Sequence, residues 1–194
     1  MIIDKHLNIK NREEYKWLWN RIHKKSRNII RMSPNEATIL HKFCSEAETG
    51  IVEIGRKFGG STYVICKCSN VPVYSVDKGK WVNSEKSIIN KCIEEFQSRL
   101  NVINCKSVKA IIPQKYDVLF IDGDHSYDGV MRDIKTHWNK LTNVCIFHDY
   151  RSCGGVKKAV DYIISENVAE VIVPSEEKQN IIVVKKIKDL TDSF

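Results

Sequence analysis

From Ile51 onward the sequence alternates short, uninterrupted apolar runs with stretches whose apolar residues recur at helical spacing. Ile51–Ile54, Val73–Val76, Val102–Asn104, Val118–Ile121 and Val144–Phe147 read as strands. Between them, residues 61–68, 85–100 (Ile88, Ile89, Cys92, Ile93, Phe96, Leu100) and 127–141 (Val130, Met131, Ile134, Trp138, Leu141) read as helices. Strand and helix in regular alternation predict an α/β fold, a parallel sheet covered by helices on both faces. The strands are apolar throughout rather than at every second residue, as strands buried on both sides should be. A further helix runs from Gly154–Gly155 to about Glu166. Val168–Val173 and Ile181–Lys185 then follow, with only a polar stretch between them. Two strands so close together predict a C-terminal antiparallel hairpin and a mostly parallel sheet of seven strands.

Upstream, Ser33, Pro34 and Glu36 form a capping box ahead of the stripe Ala37, Leu40, Phe43, Cys44 and Ala47. Before that, Tyr15, Leu18, Trp19 and Ile22 lie at helical spacing with Lys16, Arg21, Lys24 and Lys25 available for the other face. Residues 1–31 hold nine basic and three acidic side chains, so nearly all of the net charge of +7 sits there. We therefore divide the 194 residues into a basic, amphipathic helical extension, 1–32, and one compact domain, 33–194. The extension could serve as a lid, a subunit contact giving a homodimer, or an arm for an anionic partner such as RNA, with Tyr15, Trp17 and Trp19 placed to stack on bases. No apolar run approaches the length of a membrane span, and the N-terminus lacks the pattern of a secretory signal, so a cytoplasmic protein is expected. Seven cysteines, with no Cys-x-x-Cys, predict reduced packing residues rather than disulfides or zinc ligands.

In an open parallel sheet, ligands bind beyond the carboxyl ends of the strands, so the residues that end each strand carry the functional information. The first strand ends in Glu53-Ile54-Gly55 and leads through Gly59-Gly60 to Ser61 and Thr62, a turn that lets a ligand approach the backbone at a helix start. The second ends in Asp77, close to the offset at which a carboxylate binds ribose hydroxyls. The fourth ends in Asp122-Gly123-Asp124-His125, and the fifth in His148-Asp149-Tyr150. Asp122 and Asp149, on neighbouring strands, could share a divalent cation. Oxygen-rich ligation favours magnesium or manganese over zinc.

These pieces resemble the class I S-adenosylmethionine-dependent methyltransferases. Within them the chain is most similar to the branch with macrolide sugar O-methyltransferases and cephalosporin-hydroxylase-like proteins. The match runs from Val52-Glu53-Ile54-Gly55 and Gly59-Gly60-Ser61-Thr62 through Tyr74–Asp77, Phe120–Tyr127 and Phe147–Tyr150 to Gly155-Val156 with Ala159-Val160. The resemblance implies a Rossmann-like methyltransferase fold in which Glu53, Gly55, Gly59, Gly60 and Ser61 cradle the methionine part of the cofactor and Asp77 holds its ribose. It places Lys106 and Ser107 near the adenine, with Asp122 bordering the cofactor as well. In metal-dependent members the ion is held at positions matching Asp122, His148 and Asp149, and a base stands where His125 does. The chain departs from that pattern in carrying His148 where an acid is usual, and Leu141-Thr142-Asn143 where a glycine turn is usual.

The expected activity is methyl transfer from S-adenosylmethionine to a hydroxyl of a sugar-like or other small acceptor, assisted by Mg or Mn, with Asp122 and His125 catalytic. A nicotinamide oxidoreductase is disfavoured by the lack of Gly-x-Gly-x-x-Gly and of Tyr-x-x-x-Lys. The reading from another class is a non-catalytic module on the same fold that binds RNA or a protein through its basic helix.

Overall fold

A computed structural model describes residues 8–19, 29–80, 83–84, 87–112, 114–177 and 179–191. The elements run α1 (Glu13–Lys16), α2 (Pro34–Ser45), β1 (Ile51–Ile54), α3 (Gly60–Cys68), β2 (Val73–Asp77), α4 (Ile89–Phe96), β3 (Leu100–Asn104), β4 (Tyr116–Ile121), α5 (Tyr127–His137), β5 (Leu141–Phe147), α6 (Gly154–Ser165), β6 (Ala169–Val173) and β7 (Ile182–Lys186). They form one seven-stranded sheet in the order β3-β2-β1-β4-β5-β7-β6. β1 to β5 are parallel, while β7 is antiparallel to both β5 and β6.

Alternate residues of each strand feed two cores, one on each face of the sheet. Ile51, Val73, Val118 and Phe120 pack with α2, α3 and α4, whereas Val52, Val76, Leu119 and Ile121 pack with α5 and α6. Ile9, Tyr15, Leu18, Ile29 and Ile30 are buried in the first of these cores. The described part of the N-terminal segment is therefore packed into the domain. Its helix is one turn, α1, continued by a 3-10 turn over Trp17–Trp19. Arg21, Ile22, Lys24 and Lys25, expected on the same helix, lie outside the described residues.

The capping box of α2 is present in both directions: Ser33 Oγ accepts from Glu36 N–H, and Glu36 accepts from Ser33 N–H at 2.6 Å. Two expected helix ends are corrected. Leu100 opens β3, in register with Val73, rather than closing α4. Leu141 opens β5, opposite Tyr116, after α5 stops at His137 and a 3-10 turn buries Trp138. In both cases an apolar residue at helical spacing gains more from sheet pairing than from another turn of helix. The turn into β1 is fixed from a distance by Asp117, whose carboxylate accepts from the backbone of Glu48, Thr49 and Gly50.

Strand order reverses between β1 and β4, since β2 leaves one side of β1 and β4 takes the other. Such a reversal opens a crevice at the carboxyl ends of the strands, where the connecting loops diverge.

Candidate active site

A cavity of about 1070 Å³ fills that crevice, with walls from the ends of β1, β2, β3, β4 and β5 and the first turns of α5. At the end of β1, Gly55 has φ +91 and donates its N–H to Val76 O at 2.8 Å. A side chain here would overlap the carbonyl of Asp122, so glycine lets the ends of β1 and β4 touch. Asp77, at the end of β2, accepts from the N–H groups of Arg56 and Lys57 at 3.2 Å and of Gly79 at 2.8 Å. These backbone donors fix the carboxylate on the cavity wall. Arg56 is itself buried behind the wall, donating to Ser75 O at 2.6 Å and to the Asn104 side chain.

Of the residues implied as cofactor contacts, Gly55, Asp77, Ser107 and Asp122 line the cavity, as does Lys106. Glu53, Gly59, Gly60 and Ser61 do not. Glu53 is fully buried and accepts from the hydroxyls of Ser61 at 2.5 Å, and of Thr62 and Ser75 at 2.6 Å. Burial pushes its carboxyl up while the three hydroxyls oppose the shift. Gly59, at φ +90, brings the chain against Ile88 and Ile89, and Gly60 brings it against the backbone of Ile30. The β1–α3 turn is thus braced from behind by these four residues, and its cavity side is Gly55 and Lys57.

At the other end of the cavity, β4 and β5 bring Asp122, His125, His148 and Asp149 together. Nδ1 of His148 stands 3.4 Å from Asp122 Oδ1 and 3.4 Å from Asp149 Oδ2. Nε2 of His125 lies 3.4 Å and 3.3 Å from the same two oxygens. Asp149 adopts φ +60, and its other oxygen accepts from Ser152 Oγ at 2.8 Å and Asn180 Nδ2 at 3.0 Å, which leaves Oδ2 directed at the histidines.

The charge balance follows from this packing. Burial pushes the Asp122 carboxyl up, but His125 and His148 outweigh it and hold it below its ordinary value. His148 chiefly holds Asp149 down, to about 2. Burial pulls the His148 imidazole down, and the carboxylates of Asp122, Asp149 and Glu36 drive it well above the ordinary histidine value. Asp122 likewise raises His125. Among the described residues, neither ring nitrogen of His148 has a partner in hydrogen-bonding geometry.

An imidazole nitrogen orphaned in the protein interior between two carboxylates fits a divalent cation. The ligand atoms of Asp122, His148 and Asp149 all lie within 4.8 Å of one another. His125, 41% exposed, stands at the open side of this trio.

Two contributors were not singled out in the sequence. Glu36, read only as part of a capping box, also places Oε2 3.8 Å from His148 Nε2. Asp133, on α5, lines the cavity and accepts a hydrogen bond from the Ser107 hydroxyl. Burial pushes its carboxyl up from 3.8 to about 6. The folded chain therefore holds this proton more tightly than the unfolded chain, and stability is lost as pH rises between those two values. Asp133→Asn is expected to remove that loss, raising stability above pH 6 by roughly 2–3 kcal/mol. Urea melts at pH 5 and pH 8 measure it, and an unchanged pH dependence would contradict the assignment.

Residues 52–150, about half of the chain, match a family described as a methyltransferase domain. The chain belongs to this methyltransferase family, and its fold is that of the class I S-adenosylmethionine-dependent enzymes. Among solved structures it is similar to the O-methyltransferase NovP, with 14% identity over 80% of this chain and 81% of that one, at a TM-score of 0.59. It is also similar to the S-adenosylhomocysteine-bound methyltransferase PaMTH1 of Podospora anserina, with 12% identity over 80% of each chain and a TM-score of 0.61. A third is an rRNA methylase from Streptococcus thermophilus, with 13% identity over 79% of this chain and 97% of that one, at a TM-score of 0.55. No curated protein matches the sequence. Among the described residues, no helix is long and apolar enough to cross a membrane.

Proposed function

We propose that the protein is a divalent-metal-assisted O-methyltransferase that moves a methyl group from S-adenosylmethionine to a hydroxyl of a sugar-like or other small acceptor. The observation that carries this reading is a single cavity with a ribose-type carboxylate, Asp77, on one wall and the Asp122–His148–Asp149 trio on another.

S-adenosylmethionine supplies an electrophilic methyl on a sulfonium, and a divalent cation would supply charge that lowers the pKa of an acceptor hydroxyl. The chain's own residues do the rest. Asp77 accepts the ribose hydroxyls, and Gly55 leaves room for the cofactor against bare backbone. Lys106 and Ser107 border the adenine end, while Glu53 and the Gly59–Ser61 turn brace the loop from behind. Asp122, His148 and Asp149 would hold the divalent cation, which would supply positive charge beside the acceptor oxygen. Nε2 of His125 takes the acceptor proton and shares it with Asp122, whose carboxylate raises the basicity of the ring.

The N-terminal segment is read as a lid or subunit contact, supported by Arg31 on the cavity wall. The free thiols of all seven cysteines favour a cytoplasmic, reducing setting.

Calorimetric titration with S-adenosylhomocysteine tests the cofactor site. Wild-type protein is expected to bind, and Asp77→Ala to bind about 10–100-fold more weakly, since two charge-assisted hydrogen bonds are lost. No binding by the folded wild type would sink the proposal and leave a non-catalytic module, with RNA as its first partner to try.

A further inference from the structure

We infer that Glu36 is a positioning residue for a metal-binding His148, and that the imidazole it fixes tunes the Asp122–His148–Asp149 site to manganese, cobalt or zinc over magnesium. The inference rests on the metal-assisted reading above and adds to it the class of cation and the residue that sets it.

Glu36 reaches this site from an unrelated element. It sits in the first turn of α2, buried, and its two oxygens accept from Ser33 N–H and from Asn180 N–H, each at 2.6 Å. Each oxygen thus takes a backbone N–H donor, the environment of a carboxylate rather than of a protonated acid. The Oε2 atom that completes the cap also faces His148 Nε2 at 3.8 Å. A negative charge on that side favours the tautomer with the proton on Nε2, which leaves the Nδ1 lone pair directed at Asp122 and Asp149. A metal-bound histidine commonly has this arrangement, its second N–H turned to a carboxylate that fixes the ring. Asn180 ties the two layers together: its backbone donates to Glu36 and its side chain to Asp149 at 3.0 Å.

The competing role for His148 is a plain counter-ion, an imidazolium neutralising Glu36, Asp122 and Asp149. Charge-assisted pairs of that kind close to about 2.7–2.9 Å. Here all three carboxylates stand off, at 3.4, 3.4 and 3.8 Å, and both ring nitrogens, on a side chain only 6% exposed, are without a hydrogen bond among the described residues. Two donors bound to one cation at about 2.0–2.2 Å lie roughly 2.8–3.6 Å from each other, which brackets the 3.4 Å separations on the Nδ1 side.

Chemistry then selects the ion. Magnesium prefers oxygen ligands and gives up its waters reluctantly, whereas imidazole suits later divalent ions. An acid in place of His148 would make an all-oxygen site. His148 makes it one nitrogen and two oxygens, with Glu36 holding the nitrogen in position.

The test is calorimetric titration of the metal-free full chain with Mn²⁺, Co²⁺, Zn²⁺ and Mg²⁺, together with the visible absorption of the Co²⁺ complex. Wild type is expected to bind the first three at least about 10-fold more tightly than magnesium. His148→Asp is expected to abolish that preference. Glu36→Gln keeps a side chain suited to the capping box and is expected to weaken Co²⁺ binding about 10–100-fold and to shift the cobalt spectrum.

Equal affinity for magnesium in wild type overturns the inference while leaving a metal-assisted enzyme. An unchanged cobalt spectrum and affinity in Glu36→Gln overturn the positioning role. Absence of binding by any of the four ions overturns both the inference and the metal reading, and identifies His148 as the counter-ion.

Discussion

Asp122→Asn is expected to lower kcat for methyl transfer by about two to four orders of magnitude while leaving S-adenosylhomocysteine affinity within a few-fold of wild type. Asp122 faces both histidines, with Oδ1 3.4 Å from His125 Nε2 and 3.4 Å from His148 Nδ1, and it heads the groups that raise His125. Replacing it with asparagine keeps the size of the side chain but removes the charge that raises the basicity of His125 and one of the two carboxylates facing Nδ1 of His148. A proton acceptor and a cation ligand would be weakened by a single change, which is why the expected loss exceeds that from any one hydrogen bond. The backbone of Asp122, which packs against Gly55, is unaltered, so the cofactor wall should survive. Turnover of labelled S-adenosylmethionine with vicinal-diol acceptors, such as catechols and sugars, provides the assay. Loss of cofactor binding in parallel with kcat would show that Asp122 acts through the wall and not through the reacting groups.

The same residue illustrates what the sequence made legible. Asp122, His125, His148 and Asp149 could be grouped before any coordinates because parallel strands deliver their C-terminal residues to one edge of the sheet. Consecutive strands β4 and β5 are also neighbours. Gly55 and Asp77 were legible for the same reason. What could not be read was anything that depends on the side facing away from that edge. Glu53 lies in β1, two residues before Gly55, and looked equivalent to it, yet it turns into the interior toward Ser61, Thr62 and Ser75. Gly59 and Gly60 looked like a cofactor cradle because glycine-rich turns often are. The backbone of Ile30, which Gly60 accommodates, comes from a segment whose sequence gives no sign of passing there. Glu36 fulfils its local cap completely, and a local explanation hides a distant one: Asn180, which helps bind it, lies 144 positions away. The helix ends at Leu100 and Leu141 fail for a related reason, since helical periodicity cannot register a strand partner elsewhere in the chain.

Gly55→Ala is expected to destabilise the fold by about 3–5 kcal/mol and to abolish cofactor binding under conditions where the folded fraction persists. Two costs combine. The backbone at φ +91 is in a region that a residue with a side chain rarely adopts. Independently, the added methyl would overlap the Asp122 carbonyl oxygen and lie 2.6 Å from the carbonyl carbon and 2.8 Å from Gly123 Cα. Those are main-chain atoms at the tip of β4, and they cannot swing aside as a long side chain would. Relief requires β1 and β4 to separate at their ends, which are held by the hydrogen bond from Asp122 N–H to Ile54 O at 2.8 Å, while Gly55 N–H to Val76 O, also 2.8 Å, ties the same point to β2. Any such separation displaces the loop carrying Asp122 and His125, so stability and site geometry should fail together. Gly154→Ala is the matched control, because nothing lies within 4 Å of its added carbon. At the start of α6 that change should be neutral or slightly stabilising, within about 0.5–1 kcal/mol. Urea denaturation of the two variants beside wild type separates the cases. A mild effect at Gly55, comparable to that at Gly154, would mean that the β1 and β4 ends can part freely, and the close contact that builds this cavity would lose its structural importance.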